Sequence, residues 1–373
     1  MKFSDIIGQA EAKQKILDSI HNDRLAHALL LTGPEGVGQM AMAHAIAQYV
    51  NCHNPSETDS CGKCPSCLKI QKGVHPDFKY VLPIISKTTG GKRQLTADFF
   101  DGFREHFFQD PYYPFGSWQA HLGGDNKQLF ISVHEIRELK KGIYLKSFEA
   151  NYKVVIIWNA ERINVEGANA FLKLLEEPPE RTLILMTCSD PGKLLTTINS
   201  RCQRIQMGRL SPMEVQHYLV QYKGMEAVSA QEIASIAEGS IGNASEYLND
   251  HQSAIREIYT EWLRAAFVGD FQKIQAQVER IIKESKEFQK LFLKISIKKM
   301  RDSLLFHLGT TKLALVTREE RAFQEKFATY VDLDKVDRIT AEMESSLRKI
   351  SGNAQAKMVL TALSLRTHSI LRS

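Results

Sequence analysis

An apolar run, a glycine-rich turn and a helix-forming run stand back to back in "ALLLTGPEGVGQMAMA", residues 28–43. Gly33 and Gly38 carry the G-x-x-x-x-G spacing that lets backbone N–H groups curl around phosphate oxygens. Ala28, Leu29, Leu30 and Leu31 read as a buried strand and Gln39 to Tyr49 as a helix. The order strand, loop, helix is what makes the glycine spacing specific. Yet the two side chains that such a loop uses for chemistry are missing. Gln39 stands where a lysine would neutralise phosphate charge, and Met40 where a serine or threonine hydroxyl would hold Mg²⁺. The glycines still make the tight turn from strand to helix, which is a purely structural use, with weak anion binding by backbone amides as the functional remainder.

Around this segment the alternation continues. Gly8 to Ile20 is expected as a helix with an apolar stripe of Ala12, Ile16, Leu17 and Ile20. An extended run near Phe78 to Ile85, a helix from Val133 to Ile143 and a strand from Lys153 to Trp158 follow. A helix from Asn164 to Glu177 is stopped by Pro178 and Pro179, and Thr182 to Cys188 is another buried strand. Strands alternating with helices imply a parallel sheet covered on both faces. From Ser211 the pattern changes. Ser211 and Pro212 cap and open a helix to about Tyr222, with short helices expected over Ser229 to Ala237 and Ile241 to Leu248. Beyond Ser253 there are only amphipathic helical runs, broken near Gly269, Gly309 and Gly352. The length of 373 residues accommodates the resulting division into an α/β domain over 1–208, a small helical lid over 209–250 and an all-α domain over 251–373.

Two stretches carry competing readings. Between Pro83 and Gln128, Phe99, Phe100, Phe103, Phe107, Tyr112, Tyr113 and Trp118 form an aromatic-rich insertion. Stacking on bases of single-stranded DNA is one use for such residues, but the helical spacing of the phenylalanines favours a packed insertion. Arg280 to Arg301 holds eight Lys/Arg against two Glu, interleaved with Ile281, Ile282, Phe288, Leu291, Phe292 and Ile295. Packing against partner helices is favoured over contact with DNA. The net charge of +5 permits nucleic-acid contact without arguing for it. Met1 to Ile7 has no signal-peptide character and no apolar run is long enough to cross a bilayer, so the expectation is a soluble, cytoplasmic protein with no membrane role.

Four of the six cysteines cluster in the loop 52–67, as Cys52, Cys61, Cys64 and Cys67. Two-residue gaps let consecutive thiolates turn inward onto one ion, and a tetrahedral all-thiolate set suits a structural Zn²⁺ with no open coordination position. An iron–sulfur cluster is the alternative, but the C-x2-C-x2-C ferredoxin pattern takes its fourth cysteine downstream, whereas Cys52 lies upstream. His53 and His75 flank the loop without being needed, and Cys188 and Cys202 are expected to be packing residues.

Taken together, "LLLTGPEGVGQ", "CGKCPSC", "NAFLKLLEEPPE" and "INSRCQRI" resemble the AAA+ clamp-loader subunits of bacterial DNA polymerase III, and among them the delta-prime family; the likeness covers roughly Met1 to Asp250. The resemblance implies an AAA+ P-loop-type sheet domain with a lid, and a C-terminal collar. It also implies assembly with gamma/tau and delta subunits into a ring that loads a sliding clamp on primed DNA. In that frame Asn159 aligns with the metal-binding acid of the second strand motif and Ala160 with the water-polarising glutamate. Gly242 aligns with a phosphate-sensing arginine of the lid. Gln39, Met40, Asn159, Ala160 and Gly242 each remove a group that phosphoryl transfer needs, at about 1–3 kcal/mol or more per lost charge-assisted contact. The expectation is that ATP is not bound productively and not hydrolysed; a one-residue slip placing Glu161 as the acid carries little weight.

The same resemblance gives Arg201, in "SRC", the role of a finger reaching the ATP of a neighbouring subunit, with Arg204 as a lesser competitor and a local ion pair as the structural alternative. Two other functions are weighed against this: an ATPase motor of the gamma/tau kind, and a stand-alone zinc-containing DNA-binding protein.

Overall fold

In the computed structural model the described residues are 1–85, 88–89, 92–123, 128–248, 251–311, 314 and 318–372. The first half runs α1 (Ala10–His21), β1 (Ala28–Thr32), α2 (Gln39–Val50), α3 (Pro65–Gln71), β2 (Phe78–Val81) and a small hairpin, β3 (Thr88–Thr89) with β4 (Lys92–Arg93). It continues through α4 (Phe100–Gln109), α5 (Phe115–His121), α6 (Val133–Ile143), β5 (Lys153–Ile157), α7 (Val165–Glu176), β6 (Thr182–Cys188), α8 (Thr196–Asn199) and β7 (Gln203–Gln206). Helices α9 (Pro212–Lys223), α10 (Ala227–Ile236), α11 (Ile241–Glu246), α12 (His251–Val268), α13 (Phe271–Lys283), α14 (Lys286–His307), α15 (Arg318–Phe327), α16 (Leu333–Ser351) and α17 (Ala356–Arg372) follow. The chain divides into two compact units, Met1–Tyr218 with Glu238–Ser245, and Leu219–Ala237 with Glu246–Ser373.

In the first unit β2, β5, β6, β1 and β7 form a parallel sheet in that order. Parallel strands must be joined by crossovers, and the crossovers here are helices, so both faces are covered. Side chains alternate between the faces. Leu29, Leu31, Val154, Ile156, Leu183 and Leu185 join α1 and α2 in one core, while Leu30, Val155, Ile157, Ile184 and Met186 join α6 and α7 in the other. The α/β fold read from the sequence is therefore the fold of this unit. Two details differ. The first helix begins at Ala10 rather than Gly8, because Gly8 and Gln9 both take left-handed backbone angles, φ 61° and 56°, which a helix cannot include. The strand β7 was not foreseen; only Ile205 of its four residues is buried, so it shows no apolar signal.

The aromatic insertion packs. Phe103, Phe107, Tyr112, Phe115 and Trp118 are buried, and Phe103 stacks on Phe107 with ring centroids 5.4 Å apart while meeting Trp118 edge-on at 5.6 Å. These rings carry the core of α4 and α5, which the sequence reading left unassigned. Residues 86–87, 90–91 and 124–127 of the insertion lie outside the described residues.

The second unit is helical in its described residues. The basic stretch 280–301 is anchored rather than bare: Arg280 pairs with Glu257 and Glu261, Arg301 with Glu344, and Lys294 reaches the Tyr247 hydroxyl. Lys299, 2% exposed, pairs with Glu232 at 2.7 Å, and Arg256 holds the other oxygen of the same carboxylate. Phe288, Leu291, Phe292 and Ile295 are buried. No helix among the described residues is long and apolar enough to cross a membrane.

His44 on α2 is fully buried among Tyr80, Phe107 and Phe108, with Nε2 2.9 Å from the Tyr80 hydroxyl. Burial holds its pKa down to about 3, so the folded protein keeps it neutral. A lowered histidine pKa means that the unfolded chain takes up the proton first as pH falls. The stabilisation is complete above pH of about 6.5 and is lost below it at roughly 1 kcal/mol per pH unit. Urea unfolding between pH 7.5 and 5 is expected to show this loss, and His44→Gln is expected to flatten the dependence by that amount.

Candidate functional site

The loop 33–38 leaves the carboxyl end of β1 and enters α2. Gly36 and Gly38 have φ of 74° and 100°, angles that an L-residue adopts only with strain. Gly33 is needed for a different reason: a Cβ there would lie 2.3 Å from the Met207 carbonyl oxygen. Each glycine of the pattern thus has a structural reason, the turn for Gly38 and the close approach of Met207 for Gly33. Gln39 is buried, and its Nε2 donates to the carbonyls of Gly33 and Pro34, both at 2.7 Å. The side chain in the lysine position closes the loop on itself. Met40 is also buried.

The other positions named from the sequence come to the same place. Asn159 follows β5, is buried, has left-handed backbone angles (φ 53°, ψ 64°), and donates its N–H to the Thr187 hydroxyl at 2.9 Å. Asparagine tolerates this conformation better than most residues, so its identity has a conformational reason as well as an electrostatic consequence. Ala160 is fully buried. Glu161 is committed elsewhere, accepting the Ser189 N–H at 3.0 Å through Oε1. Gly242 donates its N–H to the Gly36 carbonyl at 3.1 Å, and a Cβ on it would lie 2.8 Å from Gly36 Cα. Gln39, Met40 and Asn159, with Gly36 and Gly38, line one cavity of about 20 Å³, which is room for about one water.

Arg201 is not in this group. It lies just beyond α8 with its side chain 36% exposed. Its Nε donates to Glu176 Oε1 at 2.8 Å, Nη2 reaches the same oxygen at 2.6 Å, and Nη1 donates to the Thr197 carbonyl at 2.9 Å. Arg204 turns the other way, donating from Nε to Thr32 Oγ1 at 2.9 Å and from Nη2 to Gln206 Oε1 at 3.0 Å.

The four clustered cysteines do converge. Their sulfurs all lie within 4.8 Å of one another, and the group consists of Cys52, Cys61, Cys64 and Cys67 without a histidine. Main-chain amides point at the sulfurs: Cys61 N–H to Cys52, Cys64 N–H to Cys61 and Cys67 N–H to Cys64, at 3.2, 3.3 and 3.5 Å. Such amides favour thiolate, and the Cys61 thiol is pulled down to about 6, chiefly by the Lys63 amide. Burial pushes the Cys52 and Cys67 thiols up instead. Four thiols from one short loop at this spacing meet the donor requirement of a single metal ion. Cys188 and Cys202 stand apart, and burial pushes both thiols up to about 12, as packing residues should be.

The parallel sheet, the glycine loop at its carboxyl edge and the helix behind it define a P-loop-type α/β domain. The chain belongs to the DNA polymerase III clamp-loader subunits: a family model described as "DNA polymerase III, delta subunit" matches residues 8–211, more than half of its length. It is 25% identical over 253 residues to the DNA polymerase III subunit tau of Bacillus subtilis, covering 66% of this chain and 37% of that one. It is 30% identical over 177 residues to subunit delta' of Pseudomonas aeruginosa, covering 48% of this chain and 42% of that one. The subunit gamma of Buchnera aphidicola from Acyrthosiphon pisum is 27% identical over 247 residues, 65% and 56% of the respective chains. The chain thus spans less than two thirds of each of these relatives.

Sequence reasoning missed the residues that seat the loop. Tyr112 lies across Gly38, Glu35 accepts the Phe115 N–H at 2.6 Å, and Ser240 Oγ donates to the Glu35 carbonyl at 2.7 Å. Long-range contacts between single polar residues leave no periodic signal, though Tyr112 was visible as part of the aromatic run. The close approach of Gly242 to Gly36 gives a test. Gly242→Ala is expected to cost about 1–3 kcal/mol in urea unfolding by overpacking. Gly208→Ala, where a Cβ meets nothing within 4 Å, is expected to be neutral.

Proposed function

We propose that this chain is a non-hydrolysing, delta-prime-like subunit of a DNA polymerase III clamp loader. It assembles with gamma/tau and delta subunits, supplies Arg201 to a neighbouring subunit's ATP, and serves sliding-clamp loading on primed DNA through the complex. The observation that carries this reading is Gln39, whose amide is spent on the loop's own carbonyls. A group so engaged, and neutral, offers nothing to the charge that builds up in phosphoryl transfer. Met40, Ala160 and Gly242 add no hard-metal ligand, base or cation, and the Asn159 amide would bind Mg²⁺ more weakly than a carboxylate. Residues 1–208, 209–250 and 251–373 are assigned in this reading to the AAA+ sheet domain, lid and collar.

Arg201 suits a role in trans because its guanidinium is at the surface yet already oriented by Glu176 and Thr197. An ion pair this exposed contributes at most about 1 kcal/mol, so releasing it toward a phosphate costs little. Arg204, tied to β1 and to its own strand, is a poorer candidate. The second reading, an ATPase motor, is favoured by the similarity to tau and gamma subunits and requires turnover by the purified chain.

The cysteine cluster is read as a structural zinc site held by Cys52, Cys61, Cys64 and Cys67. The ion would supply cross-linking charge for four thiolates and no reactive position. Its loop is also tied into the fold by Asp59, whose carboxylate accepts the N–H groups of Phe3, Ser4 and Ser60.

Two outcomes are expected. The purified chain turns over no ATP, and in the reconstituted complex Arg201→Ala slows hydrolysis at the single site it faces by about 10³ or more while leaving the subunit's unfolding free energy within about 1 kcal/mol. Turnover by the isolated chain, abolished by Gln39→Ala, would establish the motor instead. Elemental analysis is expected to find one zinc per chain; its removal by chelator, or Cys64→Ser, is expected to lower the urea midpoint of unfolding, since metal binding adds to folding free energy. Iron with a visible-absorbing chromophore would replace zinc by a cluster.

A further inference from the structure

We infer that the turn 110–115 in the aromatic insertion is an internal ligand of the loop pocket: it takes the space a nucleotide's phosphates would need and holds together the segments that surround them. This rests on reading the loop as a disused nucleotide site, and it gives the insertion a task.

The geometry is that of an occupant. Tyr112 is 3% exposed, and its ring edge comes within 2.9 Å of the position a Cβ on Gly38 would take. Its carbonyl oxygen lies 3.1 Å from the corresponding position on Gly242. With Pro111, Tyr112 and Tyr113 in place the cavity beside the loop is about 20 Å³, whereas pockets that hold small molecules run to roughly 300–1,000 Å³.

The turn also binds what it touches. The Tyr112 hydroxyl accepts the Ile7 N–H at 2.8 Å, and its ring meets that of Tyr218 on α9 edge-on at 5.3 Å. Asp110 accepts from Tyr112 N–H at 3.0 Å and from the Tyr218 hydroxyl at 3.2 Å through one oxygen, and from Ser245 Oγ at 3.2 Å through the other. Phe115 N–H donates to Glu35 at 2.6 Å. Four segments distant in sequence, namely residues near 7, the loop 35–38, Tyr218 at the end of the first unit's share of α9 and residues 240–245, are thereby joined through the turn 110–115, and all of these contacts lie inside one compact unit.

The occupant's chemistry accounts for the loop's. The parts of the turn that face the glycines, the Tyr112 ring and its carbonyl, are neutral, and the turn's one carboxylate, Asp110, is taken by Tyr112 N–H, Tyr218 and Ser245. A lysine at position 39 would be buried with one acid beside it, Glu35, which already accepts the Phe115 N–H, whereas the glutamine amide is satisfied by two carbonyls. The neutral occupant and the neutral residue belong together.

Two readouts on the full chain test this. In Tyr112→Ala, amide hydrogen exchange at residues 5–9, 33–38 and 240–245 is expected to rise together by about tenfold or more, since one contact governs all three. Should that variant not fold, Tyr112→Phe, which keeps the ring and loses only the hydroxyl, is expected to raise exchange at Ile7 and leave the loop protected. Gln39→Lys, with the insertion intact, is expected to bind no fluorescent ATP analogue with Mg²⁺ at millimolar concentration, because space and not charge alone excludes it. Exchange at the loop unaltered in Tyr112→Ala, or analogue binding by Gln39→Lys, overturns the inference. Neither readout involves Arg201 or a partner subunit, so failure of the role in trans would leave it standing.

Discussion

The amide of Gln39 is the interaction on which the site's character turns. A P-loop is a ring of backbone dipoles with a cation to balance an anion; here the ring is completed by two N–H···O bonds from a neutral side chain to Gly33 and Pro34. Each such bond stabilises by only about 0.5–1.5 kcal/mol net. Leaving a buried carbonyl or a buried ammonium without a partner costs more, so the amide sets what the pocket tolerates. With position 39 neutral, Asn159 can meet the backbone's need for a left-handed residue without regard to a metal. Gly242, likewise, can close on Gly36 without leaving room for a side chain.

Much of the sheet was legible because parallel strands buried on both faces are nearly continuous apolar runs. Thr182–Cys188 and the helix Val133–Ile143 have the bounds their sequence pattern indicates. β7 was not legible: it lies at the edge with Gln203, Arg204 and Gln206 exposed, and edge position follows from topology, which a local pattern does not contain. The late start of α1 has a similar origin. Gln9 in a left-handed conformation is fixed by the contacts of its side chain with Gly208 and Val37, not by its own propensity.

At the candidate site the departures from the P-loop pattern were legible and the contacts around them were not. Gln39, Met40, Asn159 and Ala160 announce missing chemistry by residue type alone, and the cysteine spacing announces convergence of four sulfurs. Tyr112, Asp110 and Ser240 have no such mark. Their meaning comes from hydrogen bonds across 105 to 205 positions, such as Ser240 to Glu35, that only the folded chain brings together.

Arg201 and the loop then divide the molecule's electrostatics between them. Packing against Tyr112 and Gly242 makes the loop part of the core, and in the proposed role, where no triphosphate is gained or lost, the loop needs no motion. The arginine, in contrast, sits in an ion pair with Glu176 that leaves 36% of its side chain to solvent. High effective dielectric makes that pair weak, and the same exposure leaves the guanidinium accessible to a more strongly charged partner. A phosphate with two or more negative charges in a drier interface would outcompete one exposed carboxylate, because bidentate contact from the guanidinium fork is worth most where water is excluded. In the proposed role, rigidity at the loop and availability at Arg201 would be complementary: the packed loop fixes where the arginine is carried, and the weak tether would let it be given up.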